Sequence, residues 1–251
     1  MDLKVPRLAI LLPTYNEGSR LYSFLESLGN FLSSLEAGQD LRVFAKYLVI
    51  VDDGSAVPVE IRPLTTKLVA FRSVHLLSHA INLGQGAALQ TALEYAKTSL
   101  DCDYFFTIDA DGQHDPADMT AMLQTMMSRK VDIVFGNRFN REVYGSIPYF
   151  RRLLLKGAIF FELFLTGLKL SDSHNGYRMF GRKCANLILL RQTRMAHATE
   201  LKQIVSRNKL TYAESPVHIR YSRELMEKGQ TNLNAMTILK DLFRIYIFQN
   251  G

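Results

Sequence analysis

The sequence predicts an α/β protein whose mostly parallel sheet is flanked by helices. Short β-rich runs alternate with helical patterns through the first half of the chain, as crossover helices between parallel strands require. One run, Tyr47-Leu-Val-Ile-Val51, is apolar without a break, the pattern of a strand buried on both faces. Three of the runs stop in polar clusters, and open α/β sheets bind ligands beyond the carboxyl ends of their strands.

The elements follow in order. Arg7-Leu-Ala-Ile-Leu-Leu12 reads as the first strand, and residues 18–35 as an amphipathic helix with Leu21, Leu25, Leu28, Leu32 and Leu35 on one face. Residues 47–51 give a second strand, 74–77 a third, 85–97 a helix and 104–108 a fourth strand. Asp115 followed by Pro116 has the form of an N-cap with proline at the first helical position, opening a helix to about Arg129. Residues 132–135 give a fifth strand. Beyond Gly136 the character changes. Residues 138–156 hold five basic side chains against Glu142, an apolar helix spans about 150–168, and two short helical patterns follow Tyr177-Arg-Met-Phe180. Alternation at Val217, Ile219 and Tyr221 predicts another strand, and residues 233–248 an amphipathic helix.

A chain of 251 residues suits a single domain, with residues 1–136 and 137–251 as its two functional parts. Its composition, 47% hydrophobic and 22% charged, excludes a disordered or collagen-like chain. The net charge of +6 suits an anionic partner, but no nucleic-acid-binding module is recognisable. Cys102 and Cys184 are too few for a disulfide framework and read as reduced thiols. The first apolar run, residues 8–12, is shorter than an export signal's core, which needs about 7–15 residues. The most apolar stretch, 153–168, is broken by Lys156 and Glu162. The expectation is a cytoplasmic protein, peripheral at a membrane face through 153–168 and 233–248. Oligomeric state has no signal in the sequence.

The chemistry is expected where strands end. Asp109 and Asp111 alternate across an extended segment, so their carboxylates flank one small volume, and like charges so close call for a cation between them. A hard divalent cation, Mg²⁺ or Mn²⁺, takes oxygen ligands and keeps positions for substrate phosphate, and Gln113 offers a third oxygen. Asp115 reads as a cap and His114 as a polar loop residue. Asp52 and Asp53 precede Gly54-Ser55, either as turn formers or as acceptors for base or ribose groups. Asn82-Leu-Gly-Gln-Gly86 opens a helix, where Gly84 and Gly86 either present backbone N–H groups to an anion or simply cap it.

Taken in order, Pro13-Thr-Tyr-Asn-Glu17, Val51-Asp-Asp-Gly-Ser55, Asn82-Leu-Gly-Gln-Gly-Ala87 and Asp109-Ala-Asp-Gly-Gln113 resemble the glycosyltransferase family 2 enzymes, most closely their dolichyl-phosphate mannose synthase-like branch. Phe135-Gly-Asn-Arg-Phe139 is similar to that branch's Gly-Ser-Arg-Tyr segment. Ser171-Asp-Ser-His-Asn-Gly-Tyr-Arg-Met-Phe180 is similar to its Asp-x-x-Ser-Gly-Phe-Arg segment, with Asn175 in place of Ser and Tyr177 in place of Phe. The resemblance implies a Rossmann-like GT-A fold, a nucleotide-diphospho-sugar donor, a divalent cation and inversion at the anomeric carbon. By position it makes Pro13, Tyr15, Glu17 and Asp53 nucleotide contacts, with Asp53 at the base. It makes Asp109, Asp111 and Gln113 the metal and diphosphate site. It gives Arg138, with Arg151 or Arg152, to the phosphate of an acceptor lipid.

An acceptor that is a phosphate monoester is already an anionic nucleophile, whereas a glycan hydroxyl needs a base. Asp172, Glu200 and His197 are the candidate bases, Asp172 first because it matches a motif position. The expected function is transfer to a polyprenyl-phosphate or lipid-linked acceptor. The alternatives are a glycan hydroxyl acceptor in cell-surface polysaccharide synthesis, or a non-catalytic nucleotide-sugar-binding or membrane-scaffold protein.

Overall fold

The computed structural model describes residues 5–36, 40–62, 66–138, 163–164, 166–172, 175–192 and 196–219. Among the described residues seven strands form one sheet: β1 (Arg7–Thr14), β2 (Ala45–Asp52), β3 (Ser73–Ser78), β4 (Tyr104–Thr107), β5 (Ile133–Asn137), β6 (Arg178–Gly181) and β7 (Tyr212–Pro216). The helices are α1 (Ser19–Ser34), α2 (Gln85–Thr98), α3 (Asp118–Arg129), α4 (Arg182–Leu187) and α5 (Ala196–Arg207), with a 3₁₀ turn at Asp40–Val43.

The period-two rule of a strand divides the core in two. Leu8, Ile10 and Leu12 of β1 and Leu48 and Ile50 of β2 face one layer, against Leu21, Phe24, Leu25 and Leu28 of α1 and Met119, Met122 and Leu123 of α3. Ala9 and Leu11, with Tyr47, Val49 and Val51, face the other, against Ala88, Ala92 and Leu93 of α2 and Leu201 and Val205 of α5. Burial of each Leu or Phe contributes ~2 kcal/mol. Cys102 and Cys184 are buried free thiols, each pushed up to about 12 by burial, so neither is a thiolate at neutral pH.

The strand order β3-β2-β1-β4-β6-β5-β7 reverses direction between β1 and β4, which places a crevice beyond their carboxyl ends. β1 pairs in parallel with β2 and β4, while β6 runs antiparallel between β4 and β5. Two elements differ from the sequence expectation. The last strand among the described residues is Tyr212–Pro216, which ends before the alternation expected from Val217, and Tyr221 lies outside the described residues. Val217 only extends its ladder by one N–H to Asn137 O at 3.0 Å, and Ile219 makes an isolated antiparallel bridge with His114. α3 begins at Asp118, although Asp115 does cap the turn before it: its Oδ1 accepts the Ala117 N–H at 3.0 Å. The expected helix at 233–248 and nearly all of the one at 150–168 lie outside the described residues. Among those described, no helix is long and apolar enough to cross a membrane.

Candidate active site

Three strand ends converge on the crevice. β1 delivers Pro13, Thr14, Tyr15 and Glu17. The loop is clasped to the one after β2 by two bonds of Asn16, its N–H to Ser55 Oγ and its Oδ1 from the Ala56 N–H, both at 2.9 Å. β2 delivers two carboxylates with different duties. Asp52 accepts the N–H groups of Ser55 at 3.0 Å and Val59 at 3.1 Å, which is turn formation. The buried Asp53 carboxylate instead takes the N–H of Leu83 at 3.0 Å and of Gly84 at 2.7 Å, and meets His79 Nδ1 at 2.7 Å. It thereby holds the entry of α2 against the end of β2.

Asp109 and Asp111 follow β4. Asp109 accepts the Gln85 amide at 2.7 Å and lies 3.5 Å from His114 Nε2. An added Cβ at Gly176 would come within 2.6 Å of its Cγ, so the missing side chain there is what lets Asp109 sit where it does. Burial works against the Asp109 charge, but His114, Arg178 and His197 outweigh it and hold the carboxyl below its ordinary range. Asp111 is pushed the other way, by burial and then by the Asp109 charge, against the N–H that Gln113 donates at 2.9 Å. Glu17 is likewise raised, by burial first and by Asp111 and Asp109, although Arg20 lies 2.9 Å from its Oε2.

These strand ends enclose a cavity of about 540 Å³. Pro13, Tyr15, Glu17, Asp53, Gly84, Asp109 and Asp111 all line it, as do Asn82 and Gln85, which the sequence reading did not single out. Two expected members do not. Gly86 packs α2 against Gln192 and His197: a Cβ there would strike Gln192 O and come within 2.8 Å of His197 Cβ. Gln113 contributes its backbone N–H to Asp111, and it is absent from the cavity wall.

Arg138 and Asp172 meet each other. Nε to Oδ2 is 2.9 Å and Nη2 to Oδ1 is 3.0 Å, and Oδ2 also takes the Arg138 N–H at 3.1 Å and the Asn175 amide at 3.3 Å. Asp172 is buried, and both of its carboxylate oxygens are engaged by Arg138. Glu200 is also committed, to the N–H groups of Arg191 and Gln192 at 2.8–3.0 Å. Arg151 and Arg152 lie outside the described residues. Arg178 was missed in the sequence, yet it is buried and feels both Asp109 and Asp172. Its signal was a lone charge at the head of a short apolar strand.

Among the described residues no three His, Cys, Asp or Glu side chains converge to cage a metal by themselves. The carboxylates at the cavity wall still suit a hard divalent cation, because such ions use one or two carboxylates and complete their shell with substrate phosphate and water.

Residues 9–188, well over half the chain and including every cavity-lining residue, match the family Glycosyl transferase family 2. The chain belongs to glycosyltransferase family 2. A UDP-N-acetylglucosamine–dolichyl-phosphate N-acetylglucosaminyltransferase of Methanococcus voltae is 26% identical over 96% of this chain and 96% of its own. A dolichyl-phosphate beta-glucosyltransferase of Trichomonas vaginalis is 26% identical over 96% of this chain and 73% of its own. The crystal structure of glucosyl-3-phosphoglycerate synthase from Mycobacterium tuberculosis, in complex with Mn²⁺, UDP and phosphoglyceric acid, superposes with a TM-score of 0.56. It is 20% identical and covers 94% of this chain and 78% of that one. This family 2 member is therefore a glycosyltransferase of GT-A fold, with relatives that are dolichyl-phosphate sugar transferases.

Proposed function

We propose that the protein transfers a sugar from a nucleotide-diphospho-sugar to a polyprenyl-phosphate acceptor, with inversion at the anomeric carbon and with a divalent cation bound. The observation that carries this reading is the cavity at the β1–β4 switch point, where Tyr15, Glu17 and Asp53 stand beside Asp109 and Asp111. Pro13, Tyr15, Glu17 and Asp53 would hold the nucleoside, with the first turn of α2, just past Gly84, facing the diphosphate. Asp109 and Asp111 would hold Mg²⁺ or Mn²⁺, and the ion, when bound, offsets the negative charge that develops on the leaving diphosphate.

Arg138, set by Asp172, would receive the acceptor phosphate, whose geometry a guanidinium fork matches. The acceptor oxygen attacks the anomeric carbon as the bond from that carbon to the diphosphate breaks, and one displacement inverts the centre. A phosphate monoester needs no strong base. That agrees with the carboxylates of Asp172 and Glu200 being occupied. Such an acceptor resides in a membrane and such donors in the cytosol, so we place the reaction at the cytoplasmic membrane face.

The test is to offer a panel of UDP- and GDP-sugars with farnesyl phosphate, with Mn²⁺ or with chelator, and to determine the anomeric configuration of the product. Cation-dependent formation of an inverted sugar phosphodiester is expected. Glycosylation of a glycan hydroxyl with no transfer to any prenyl phosphate would defeat the reading.

A further inference from the structure

β7 presents two side chains on one face to the chain segment that leads into Asp172. Tyr212 Oη accepts the Lys169 N–H at 3.2 Å. Two residues on, Glu214 accepts the Ser171 N–H at 2.7 Å through Oε1, the Ser171 hydroxyl at 3.0 Å through Oε2, and the Asp172 N–H at 3.4 Å. The carboxylate thus takes every donor that Ser171 has. Asp172, fixed at its backbone, grips Arg138 through both oxygens. Both ends of this relay stand on the same strand pair, since Glu214 is in register with Phe135 of β5 and Arg138 follows β5 directly. The plane of the Asp172–Arg138 fork dictates where Nη1 points, and the position of Asp172 dictates that plane.

We propose that Glu214 is a positioning residue for the acceptor: through Ser171 and Asp172 it sets the guanidinium of Arg138 in the orientation that receives a phosphate monoester. Glu214 lies outside the family-matched span and touches no cavity-lining residue by hydrogen bond. The inference rests on Arg138 as the phosphate-binding arginine, and the test separates the two.

Farnesyl phosphate is titrated calorimetrically into the full chain and into Arg138→Ala, Glu214→Leu, Glu214→Gln and the double variant Arg138→Ala/Glu214→Leu. Losing a charged hydrogen bond to phosphate should weaken Arg138→Ala about tenfold or more, and misplacing the arginine should weaken Glu214→Leu about fivefold. Glu214→Gln should bind within about twofold of the unaltered protein, because its amide oxygen still accepts the Ser171 N–H and its amide nitrogen donates to Ser171 Oγ. The double variant should bind no more weakly than Arg138→Ala alone, since Glu214 acts only through that arginine. Additive losses in the double variant, a Glu214→Gln as weak as Glu214→Leu, or a Glu214→Leu that binds normally would each overturn the proposal. Normal binding by Arg138→Ala would remove the acceptor site itself, and the proposal with it. Should Glu214→Leu lack a thermal unfolding transition, Ser171→Ala deletes only the hydroxyl link. About threefold weaker binding is then expected, and unchanged binding would overturn the proposal.

Discussion

Gly176→Ala isolates the position of one carboxylate. Gly176 needs no left-handed backbone, so the substitution is purely steric, and the added methyl would stand 2.6 Å from Asp109 Cγ and 2.7 Å from Oδ1, with Oδ2 closer still. Ordinary contact begins at 3.4 Å, so the carboxylate must withdraw by about 0.8 Å or more. It cannot retreat without cost, because Gln85 Nε2 is 2.7 Å away on Oδ1 and His114 lies 3.5 Å from Oδ2. Overpacking of this kind costs about 1–3 kcal/mol of stability. Displacing a ligand through its supporting shell typically costs 10–100-fold in metal affinity. The control is Gly181→Ala, where the new methyl meets only the end of a flexible side chain, Met126 Cε, at 3.3 Å. Thermal unfolding and Mn²⁺ titration in the presence of saturating UDP should show Gly176→Ala folded but weak for the ion, and Gly181→Ala close to the unaltered protein in both. A folded Gly176→Ala with unchanged Mn²⁺ affinity would refute the assignment of Asp109 to the cation.

Two further expectations concern stability against pH. His218 is mostly exposed, but Asp118, 2.8 Å from its Nδ1, raises its pKa above the ordinary 6.5. The pair therefore stabilises the fold fully below that value and fades as the pH climbs through the raised one, and His218→Ala should flatten denaturant midpoints measured from about pH 6 to pH 8. Lys202 is buried, and burial pushes its ammonium down to about 7 from 10.5. The folded chain sheds a proton that the unfolded chain keeps, so stability should rise with pH across that window and Lys202→Met should abolish the rise.

What the sequence made legible was whatever depends on local pattern. β1, β2 and β4 are apolar runs whose burial follows from composition alone, and the alternation of Asp109 with Asp111 places both at one strand end. β6 was less visible: it is four residues long, carries Arg178 at its start, and exists because it slots antiparallel between β4 and β5. β7 reads as Tyr-Ala-Glu-Ser-Pro, nearly polar throughout, since one face packs on the core through Ala213 while the other binds the 169–172 segment through Tyr212 and Glu214. The apolar alternation that starts just after it, at Val217, is the stronger local pattern and drew the expectation away from 212–216. In the site, Arg138 and Asp172 were each singled out by a motif position, but a pair 34 residues apart has no local signature. Gly86 was noticed as part of a glycine-rich helix start, whereas its reason is a contact with Gln192 and His197, more than a hundred residues later.

The two aspartates that the sequence treats alike are set apart by their surroundings, and that difference can be measured. Arg178, His197 and His114 all favour the Asp109 charge and together outweigh its burial. Arg178 is itself buried, its charge opposed by burial and supported by Asp109 and Asp172. Asp109→Asn therefore strips one of two counter-charges from a buried guanidinium and should lower the unfolding temperature of the ion-free protein. Asp111 carries the opposite account: burial and the Asp109 charge both raise its pKa, and it also raises that of Glu17. Asp111→Asn relieves those repulsions while keeping an oxygen to accept the Gln113 N–H, so the ion-free protein should unfold at the same temperature or higher. Both variants should lose Mn²⁺ binding, since each removes one of the two carboxylates at the cation position. Thermal unfolding with chelator present reads the first effect and Mn²⁺ titration the second. An Asp111→Asn protein as destabilised as Asp109→Asn would show that the two carboxylates share one structural role, and the division of labour between an anchored ligand and a repelled one would fall.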